Sequence, residues 1–200
     1  KGIKCGAIGH ISIFSFYANK IITTGEGGMV ITSDERMAER AKSYRNLCFQ
    51  EDRRFYHEDI GYNFRMTNLQ AAVGVAQVER LDEFVKIKRY IGKLYLDALR
   101  NVSGIKTQVE QKWAKMVYWM YCIELDESLN MDATTMMSAL HKRGIGTRPF
   151  FVGLHEQPIL IKRGFVKSSD VFPVTERISK QGLYLPSGMT LTEKDVGIVV

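Results

Sequence analysis

The 200-residue chain has few cysteines and no long apolar run. Its three cysteines, Cys5, Cys48 and Cys122, are odd in number and far apart, so they predict neither a disulfide framework nor a zinc site. We therefore expect a reducing, cytoplasmic environment and no bound metal. No stretch of about 18 uncharged apolar residues is present, so no membrane span is predicted. A basic segment followed by an apolar run and a small-residue cleavage site is also missing, so no secretory signal is visible.

Charge of one sign is in modest excess, with a formal net charge of +6. The basic residues are scattered, and the runs at 86–90 (KIKRY) and 142–144 (KRG) are typical of solvated helix faces. No nucleic-acid recognition motif accompanies them, so we expect no nucleic-acid partner. The excess does suit an anionic ligand such as a phosphate or diphosphate.

Apolar periodicity predicts strands and helices that alternate along the chain, which is typical of an α/β fold. The strands are predicted at 10–16, 27–32, 117–125, 144–151 and 183–187, and the helices at 34–47, 67–100, 132–143 and from Thr192 onward. The segment 50–63 is polar and without a period, so it predicts a long loop of a kind that is often functional.

The helix predicted at 67–100 is the strongest of these, because Thr67 and Gln70 form a capping-box pattern at its start. Its length of about 30 residues exceeds that of most globular helices, which indicates a helix that connects two domains. We therefore predict three regions: 1–66 as the end of a large domain, 67–100 as the connecting helix, and 101–200 as a small α/β domain. Lys1 stands where a methionine is usual and only eight residues follow Thr192, so we expect part of a longer protein.

One lysine lies between a β-type run and a glycine turn, in the segment FSFYANKIITTGEGGMVIT at 14–32. Glycines allow close approach of the backbone to a ligand, and threonine hydroxyls and amide N–H groups can hold phosphate oxygens. If Lys20 is partly desolvated, its neutral amine is favoured, and a neutral amine can form a Schiff base with an aldehyde. On these residues alone, an ordinary exposed loop lysine remains the alternative.

The same segment resembles the cofactor-lysine motif of the DegT/StrS sugar aminotransferases, which depend on pyridoxal 5'-phosphate (PLP) and have the aspartate aminotransferase fold. The family pattern is Phe-Ser-Phe, three residues, Lys, then Thr-Thr-Gly-Glu-Gly-Gly, and all of it is present at 14–28. The segments at 61–82, 144–158 and 183–196 are similar to further family segments, so the resemblance covers the whole chain.

The resemblance implies a role for each of five residues. Lys20 would form the Schiff base with PLP and move protons, and Ser15 would hydrogen-bond the cofactor phosphate. Asn63 would reach the cofactor of a neighbouring subunit, since family active sites lie at a dimer interface. Arg148 and His155 fall in the segment that approaches the nucleotide-sugar. Family dehydratases have histidine at the position of Lys20, so the resemblance implies amino transfer from glutamate to a keto-sugar of a nucleoside-diphosphate sugar, as in polysaccharide or lipopolysaccharide biosynthesis.

The resemblance also implies missing parts. Family members are nearly twice as long, and their first half holds the ring-stacking aromatic residue and the acid that pairs with the pyridine nitrogen. We therefore expect the 200-residue chain alone to bind PLP weakly and to be inactive. A hypothesis of another class is a non-catalytic fragment of the same fold that dimerises or binds anions.

Overall fold

The computed structural model describes residues 2–200, which form two compact units divided between Phe84 and Val85. The elements are helices and strands in alternation, so the predicted α/β class is confirmed. None of the helices formed by residues 2–200 is long and apolar enough to cross a lipid bilayer.

The first unit contains a two-stranded antiparallel sheet and two helices. Strand β1 (Ile11–Ser15) pairs with β2 (Gly28–Thr32), in a register that places Ile11 opposite Thr32 and Ser15 opposite Gly28. Because every residue from 16 to 27 lies between the paired ends, this register fixes where the glycine-rich loop leaves and rejoins the sheet. Both faces of the hairpin carry exposed apolar side chains, and Ile13 is 81% exposed.

The helices of the first unit begin at the capping residues that the sequence indicates. Helix α1 (Glu35–Arg45) is capped by Asp34, whose side chain accepts a hydrogen bond from the amide of Met37. Helix α2 (Asn68–Glu79) begins with the predicted capping box of Thr67 and Gln70, and both reciprocal bonds are present. These caps satisfy amide groups that have no partner within the helix.

The prediction of one continuous helix over 67–100 was wrong. Helix α2 ends at Arg80, and a separate helix α3 (Leu81–Leu99) follows directly. Arg80 has φ −105° and ψ 10°, and its amide donates to the carbonyls of Gln77 and Val78. Its guanidinium also binds Glu83 in the first turn of α3 at 2.7 Å. Because neither glycine nor proline marks this break, apolar periodicity alone did not reveal it.

The second unit is a four-stranded antiparallel sheet covered by helices. Its strands are β3 (Ile105–Thr107), β4 (Tyr121–Leu125), β5 (Arg148–Pro149) and β6 (Gly182–Leu185), in the spatial order β3-β4-β6-β5. The helices are the larger part of α3 together with α4 (Ala133–His141), α5 (Pro158–Lys162), α6 (Pro173–Gln181) and α7 (Glu193–Val199).

The core of the second unit lies between α3 and the sheet. Its buried residues are Ile91, Tyr95, Leu99, Tyr118, Tyr121, Ile123, Leu125, Ala133, Leu183, Leu185 and Val196. Tyr95, Tyr121 and Leu183 are at most 1% exposed. Burying side chains of this size stabilises a fold by roughly 1.5–3 kcal/mol each, so this core is the main stabilising feature of the unit.

Candidate functional site

The loop between β1 and β2 is closed at its base by main-chain hydrogen bonds. The amide of Phe16 donates to the carbonyl of Gly27 at 2.9 Å, and the amide of Thr24 donates to the carbonyl of Phe16 at 3.0 Å. The amide of Lys20 donates to the carbonyl of Tyr17 at 3.0 Å, which forms a tight turn. Lys20 therefore occupies a defined turn within a closed loop, and it is half-buried there.

The two threonines of this loop bind its own backbone. The Thr23 hydroxyl donates to the carbonyl of Phe16 at 2.9 Å and accepts from the amide of Gly25 at 2.9 Å. The Thr24 hydroxyl donates to the carbonyl of Glu26 at 2.6 Å, and Thr24 is only 7% exposed. The general expectation that threonine hydroxyls here hold phosphate oxygens therefore gives way to a structural role, because both hydroxyls already donate within the loop.

Gly27 is the position where this loop most needs glycine. Its φ is 145°, a conformation that L-residues rarely adopt. A Cβ at this position would lie 2.6 Å from the Thr24 hydroxyl oxygen and 2.9 Å from Cε of Met66. The loop is therefore packed closely around Gly27, so a larger residue has no space there.

Helix α2 supports the loop through two glutamines that sequence reasoning did not identify as site residues. Gln77 accepts a hydrogen bond from the amide of Thr23 at 3.2 Å. Gln70 donates to the carbonyl of Glu26 at 3.2 Å, in addition to its capping role. The two lie seven residues apart and so share one helix face, which is a signal that the sequence does contain. Glu26 thus contributes its carbonyl to this support, in agreement with a structural role in the turn.

Ser15 and Lys20 lie at the same end of the hairpin, since Ser15 is the last residue of β1 and Lys20 lies in the loop that follows. The Ser15 hydroxyl is exposed and accepts from the amide of Tyr17 at 3.3 Å. This hydroxyl donates no hydrogen bond of its own within the described part of the chain, so it can donate one to a ligand. The first unit thus places an amine and a hydroxyl on one short, internally braced segment.

Asn63 lies on a different part of the first unit, in an extended segment beside the end of α1. It forms an isolated bridge with Asn46, flanked by the bonds from Leu47 amide to Tyr62 carbonyl and from Phe64 amide to Arg45 carbonyl, at 3.1 and 3.0 Å. The residue is exposed. Its backbone is therefore fixed while its side chain faces outward.

Arg148 and His155 both belong to the second unit, but their environments differ. Arg148 is on β5 opposite Tyr184 and is exposed. The His155 side chain is only 9% exposed, and its Nε2 lies 3.2 Å from Oε1 of Glu176. Its ring also packs against Phe172, with centroids 4.6 Å apart. His155 is thus a packed residue of the fold, whereas Arg148 is available to a ligand.

The carboxylate beside His155 is itself held by several groups. Glu176 accepts a hydrogen bond from the amide of Phe172 at 2.8 Å as well as facing His155. These two hydrogen bonds, with that of Phe172 the stronger, lower the pKa of Glu176. The His155–Glu176 contact therefore ties the short 3-10 turn at 154–156 to the start of α6. Residues 2–200 contain no group of three or more His, Cys, Asp or Glu side chains arranged to hold a metal ion.

The whole sequence matches one protein family. The profile of the DegT/DnrJ/EryC1/StrS aminotransferase family matches residues 1–200, and the chain therefore belongs to this family. A GDP-perosamine synthase of Vibrio cholerae is 36% identical over 197 residues, which are 98% of this chain and 52% of that relative. The putative PLP-dependent aminotransferase EpsN of Bacillus subtilis is 35% identical over 200 residues, 100% of this chain and 51% of the relative.

The fold agrees with this membership. The crystal structure of the aminotransferase TlmJ from Streptoalloteichus hindustanus superposes with a TM-score of 0.88 at 29% identity, covering 99% of this chain and 52% of that chain. The chain thus spans about half the length of the relatives that it matches, and the predicted aminotransferase fold is confirmed for this half.

Proposed function

We propose that the protein is a PLP-dependent aminotransferase that transfers an amino group from glutamate to a keto-sugar of a nucleoside-diphosphate sugar. The observation that carries the proposal is the closed, braced loop that holds Lys20 in a defined turn and begins directly after Ser15. The relatives of the chain support it, since they include GDP-perosamine synthases and a putative PLP-dependent aminotransferase.

The residues present fit part of a PLP site. A half-buried amine suits a cofactor aldehyde, and the exposed Ser15 hydroxyl suits a phosphate oxygen. When bound, PLP supplies an electron sink for the carbon that gains or loses nitrogen. In this proposal Lys20 would hold the cofactor aldehyde and then carry the proton that moves during amino transfer. The bonds of Gln70 and Gln77 keep this loop in place, so their role is to position Lys20.

The nucleotide-sugar and partner residues form the second part of the proposal. Arg148 is exposed and permanently charged, so it suits the diphosphate of the substrate. Asn63 faces outward from a fixed backbone, which suits contact with the cofactor of a second subunit in a homodimer. His155, being packed against Phe172 and Glu176, would shape the segment near Arg148 rather than bind substrate strongly. The three free cysteines among the described residues suit the reducing cytoplasm that we also propose.

The non-catalytic alternative rests on a separate observation. The apolar residues exposed on the β1–β2 hairpin, with Ile13 at 81%, favour association with another surface. A fragment that only dimerises or binds anions would keep this property without using Lys20. The two functions are therefore distinguished by what Lys20 contributes.

The test follows nitrogen from donor to product. Because we expect the 200-residue chain alone to be inactive, the protein is purified at its full natural length. It is incubated with PLP, ¹⁵N-glutamate and a panel of nucleoside-diphosphate keto-sugars, and the sugars are analysed by mass spectrometry. We expect ¹⁵N in an aminosugar product, complete loss of transfer in Lys20→Ala, and normal transfer in Lys4→Ala, because Lys4 is an exposed lysine outside the loop. Transfer that persists in Lys20→Ala, or no transfer to any sugar by the unaltered protein, would contradict the proposal.

A further inference from the structure

Lys88 is the only charged residue that is buried in the part of the chain that the structure describes. It lies on α3 within the second unit and is 5% exposed. Nothing in the proposed amino transfer uses it. A buried ammonium costs free energy unless it is paired or hydrogen-bonded, so its surroundings require an explanation.

The lysine binds a main-chain carbonyl far along the chain. Its Nζ donates a hydrogen bond to the carbonyl of Ser187. Two turns further along α3, the Tyr95 hydroxyl donates to the carbonyl of Pro186 at 2.8 Å. Lys88 and Tyr95 are seven residues apart, so both project from the same side of α3. Two side chains of one helix thus hold two successive carbonyls of the segment that follows β6.

The Pro186–Ser187 segment also contacts β4, one of the two inner strands of the sheet. The amide of Tyr121 on β4 donates to the hydroxyl of Ser187 at 3.4 Å, and the rings of Tyr95 and Tyr121 stack with centroids 4.8 Å apart. We call the hydrogen bonds of Lys88 and Tyr95 to Ser187 and Pro186 the Lys88 latch. It lies at the end of β6, and β6 pairs directly with the strand that carries Arg148.

No carboxylate among residues 2–200 forms an ion pair with Lys88, and burial alone lowers its pKa to about 8. The titratable side chains in the core formed by these elements are Tyr95, Tyr118 and Tyr121, and burial also raises the pKa of the Cys122 thiol on β4 to about 12. Burial raises the pKa of Tyr95 to about 12 and also raises the pKa values of Tyr118 and Tyr121, so all three stay neutral near neutral pH. Glu193 at the start of α7 lies 3.5 Å from the Tyr90 hydroxyl, on the exposed part of α3. Lys88 is therefore the group here whose charge changes in the mildly alkaline range.

We propose that the Lys88 latch is a pH-dependent attachment of the Pro186–Ser187 segment to helix α3, which protonation of Lys88 weakens. In the closed state, with the segment attached to α3, the ammonium has three N–H donors but only one acceptor among the described residues, the carbonyl of Ser187. In the open state, with the segment detached, the ammonium reaches water. The open state therefore binds the proton more tightly than the closed state does. The attachment is loosest at neutral pH and tightens as the pH rises, and the inference does not depend on the proposed function.

The size of the effect follows from proton linkage. The pKa of Lys88 is about 8 in the closed state. In the open state the ordinary lysine value of 10.5 applies. Between about pH 7 and about pH 9 the open state binds more protons, so the equilibrium constant for opening should fall by about tenfold.

Hydrogen–deuterium exchange measures this constant directly. Opening ratios are obtained by mass spectrometry for peptides that cover 183–191 and 119–125, at several pH values and after correction for intrinsic exchange. We expect the tenfold fall in the unaltered protein, a flat profile in Lys88→Met, and a flat profile in Lys88→Arg, whose side chain keeps donors but does not titrate. Lys93→Met, an exposed lysine of the same helix, should keep the full fall.

Two results would overturn the proposal: a flat profile in the unaltered protein, or an equal fall in Lys88→Met. If Lys88→Met does not fold, the unaltered protein, Lys88→Arg and Lys93→Met still decide the question. A peptide from α6 provides an internal reference that should show no such pH dependence.

Discussion

Replacing Gly27 with alanine should disrupt the Lys20 loop far more than the same change two residues earlier. Gly27 has φ 145°, whereas Gly25 has φ 79°. A Cβ at Gly27 would lie 2.6 Å from the Thr24 hydroxyl oxygen, while a Cβ at Gly25 would meet no atom within 4 Å. The two glycines thus separate the cost of backbone conformation from the cost of crowding within one loop.

The expected magnitudes follow from these two terms. Gly25→Ala has one cost, that of placing alanine in a left-handed backbone conformation, which is about 1–2 kcal/mol. Alanine at Gly27 adopts a rarer conformation, at about 1–3 kcal/mol, and also displaces the Thr24 hydroxyl or Met66 at an overpacking cost of about 1–3 kcal/mol. We therefore expect Gly27→Ala to reduce the opening free energy of the loop by about 2–6 kcal/mol, centred on about 4 kcal/mol, against about 1–2 kcal/mol for Gly25→Ala.

Amide exchange at the base of the loop is the appropriate assay. The amides of Phe16 and Thr24 close the loop, so their opening free energies report its integrity without interference from the second unit. Both tryptophans lie in the second unit, so tryptophan fluorescence would miss the change. Equal effects of the two substitutions would refute the claim that the loop is packed closely around Gly27.

Three further predictions concern stability. His155→Ala should destabilise the second unit by about 2–3 kcal/mol in urea unfolding, because the packed ring is lost. Arg148→Ala should change the free energy of unfolding by no more than about 0.5 kcal/mol, because Arg148 is exposed. Similar values for the two variants would contradict the different environments of the two residues. Arg89 lowers the pKa of Glu110, so that carboxylate adds stability above its unfolded pKa and loses it as the pH falls through the lowered folded value. Arg89→Met should therefore reduce the loss of unfolding free energy on acidification by up to about 1 kcal/mol, as measured by urea unfolding at several pH values, since the pair is only half-buried. An unchanged dependence of the unfolding free energy on acid pH would contradict a stabilising role for the pair. Thr67→Ala should cost about 1 kcal/mol and fray the start of α2 in amide exchange, and full protection there would argue against the capping box.

Local patterns predicted the parts of the fold that depend on local chemistry. The capping box at Thr67 and the hairpin strands are found where the sequence predicts them, and the caps Asp34, Asp132 and Thr192 lie at the predicted starts of their helices. The strand predicted at 117–125 begins only at Tyr121, because Tyr118 has φ 50° and interrupts extended backbone. Helix α6 was not predicted, since its polar sequence and its start at Pro173 gave little apolar signal.

The candidate site was predictable only in part. The motif identified Lys20 and Ser15, but the hydrogen bonds of Gln77 and Gln70 to the loop span 54 and 44 residues. Such tertiary partners have no local signature beyond their shared helix face. The buried Lys88 was likewise assigned to a solvated helix face from the run KIKRY, because the sequence does not show that the Ser187 segment covers it.

The central claim is that Lys20 is the lysine that links the protein to its cofactor. The protein, purified at its full natural length, is incubated with PLP, reduced with borohydride, digested and analysed by mass spectrometry for the cofactor-derived mass on each lysine. We predict that the label concentrates on Lys20, disappears in Lys20→Ala and persists in Lys4→Ala. A label spread over many lysines, and unchanged in Lys20→Ala, would contradict the account.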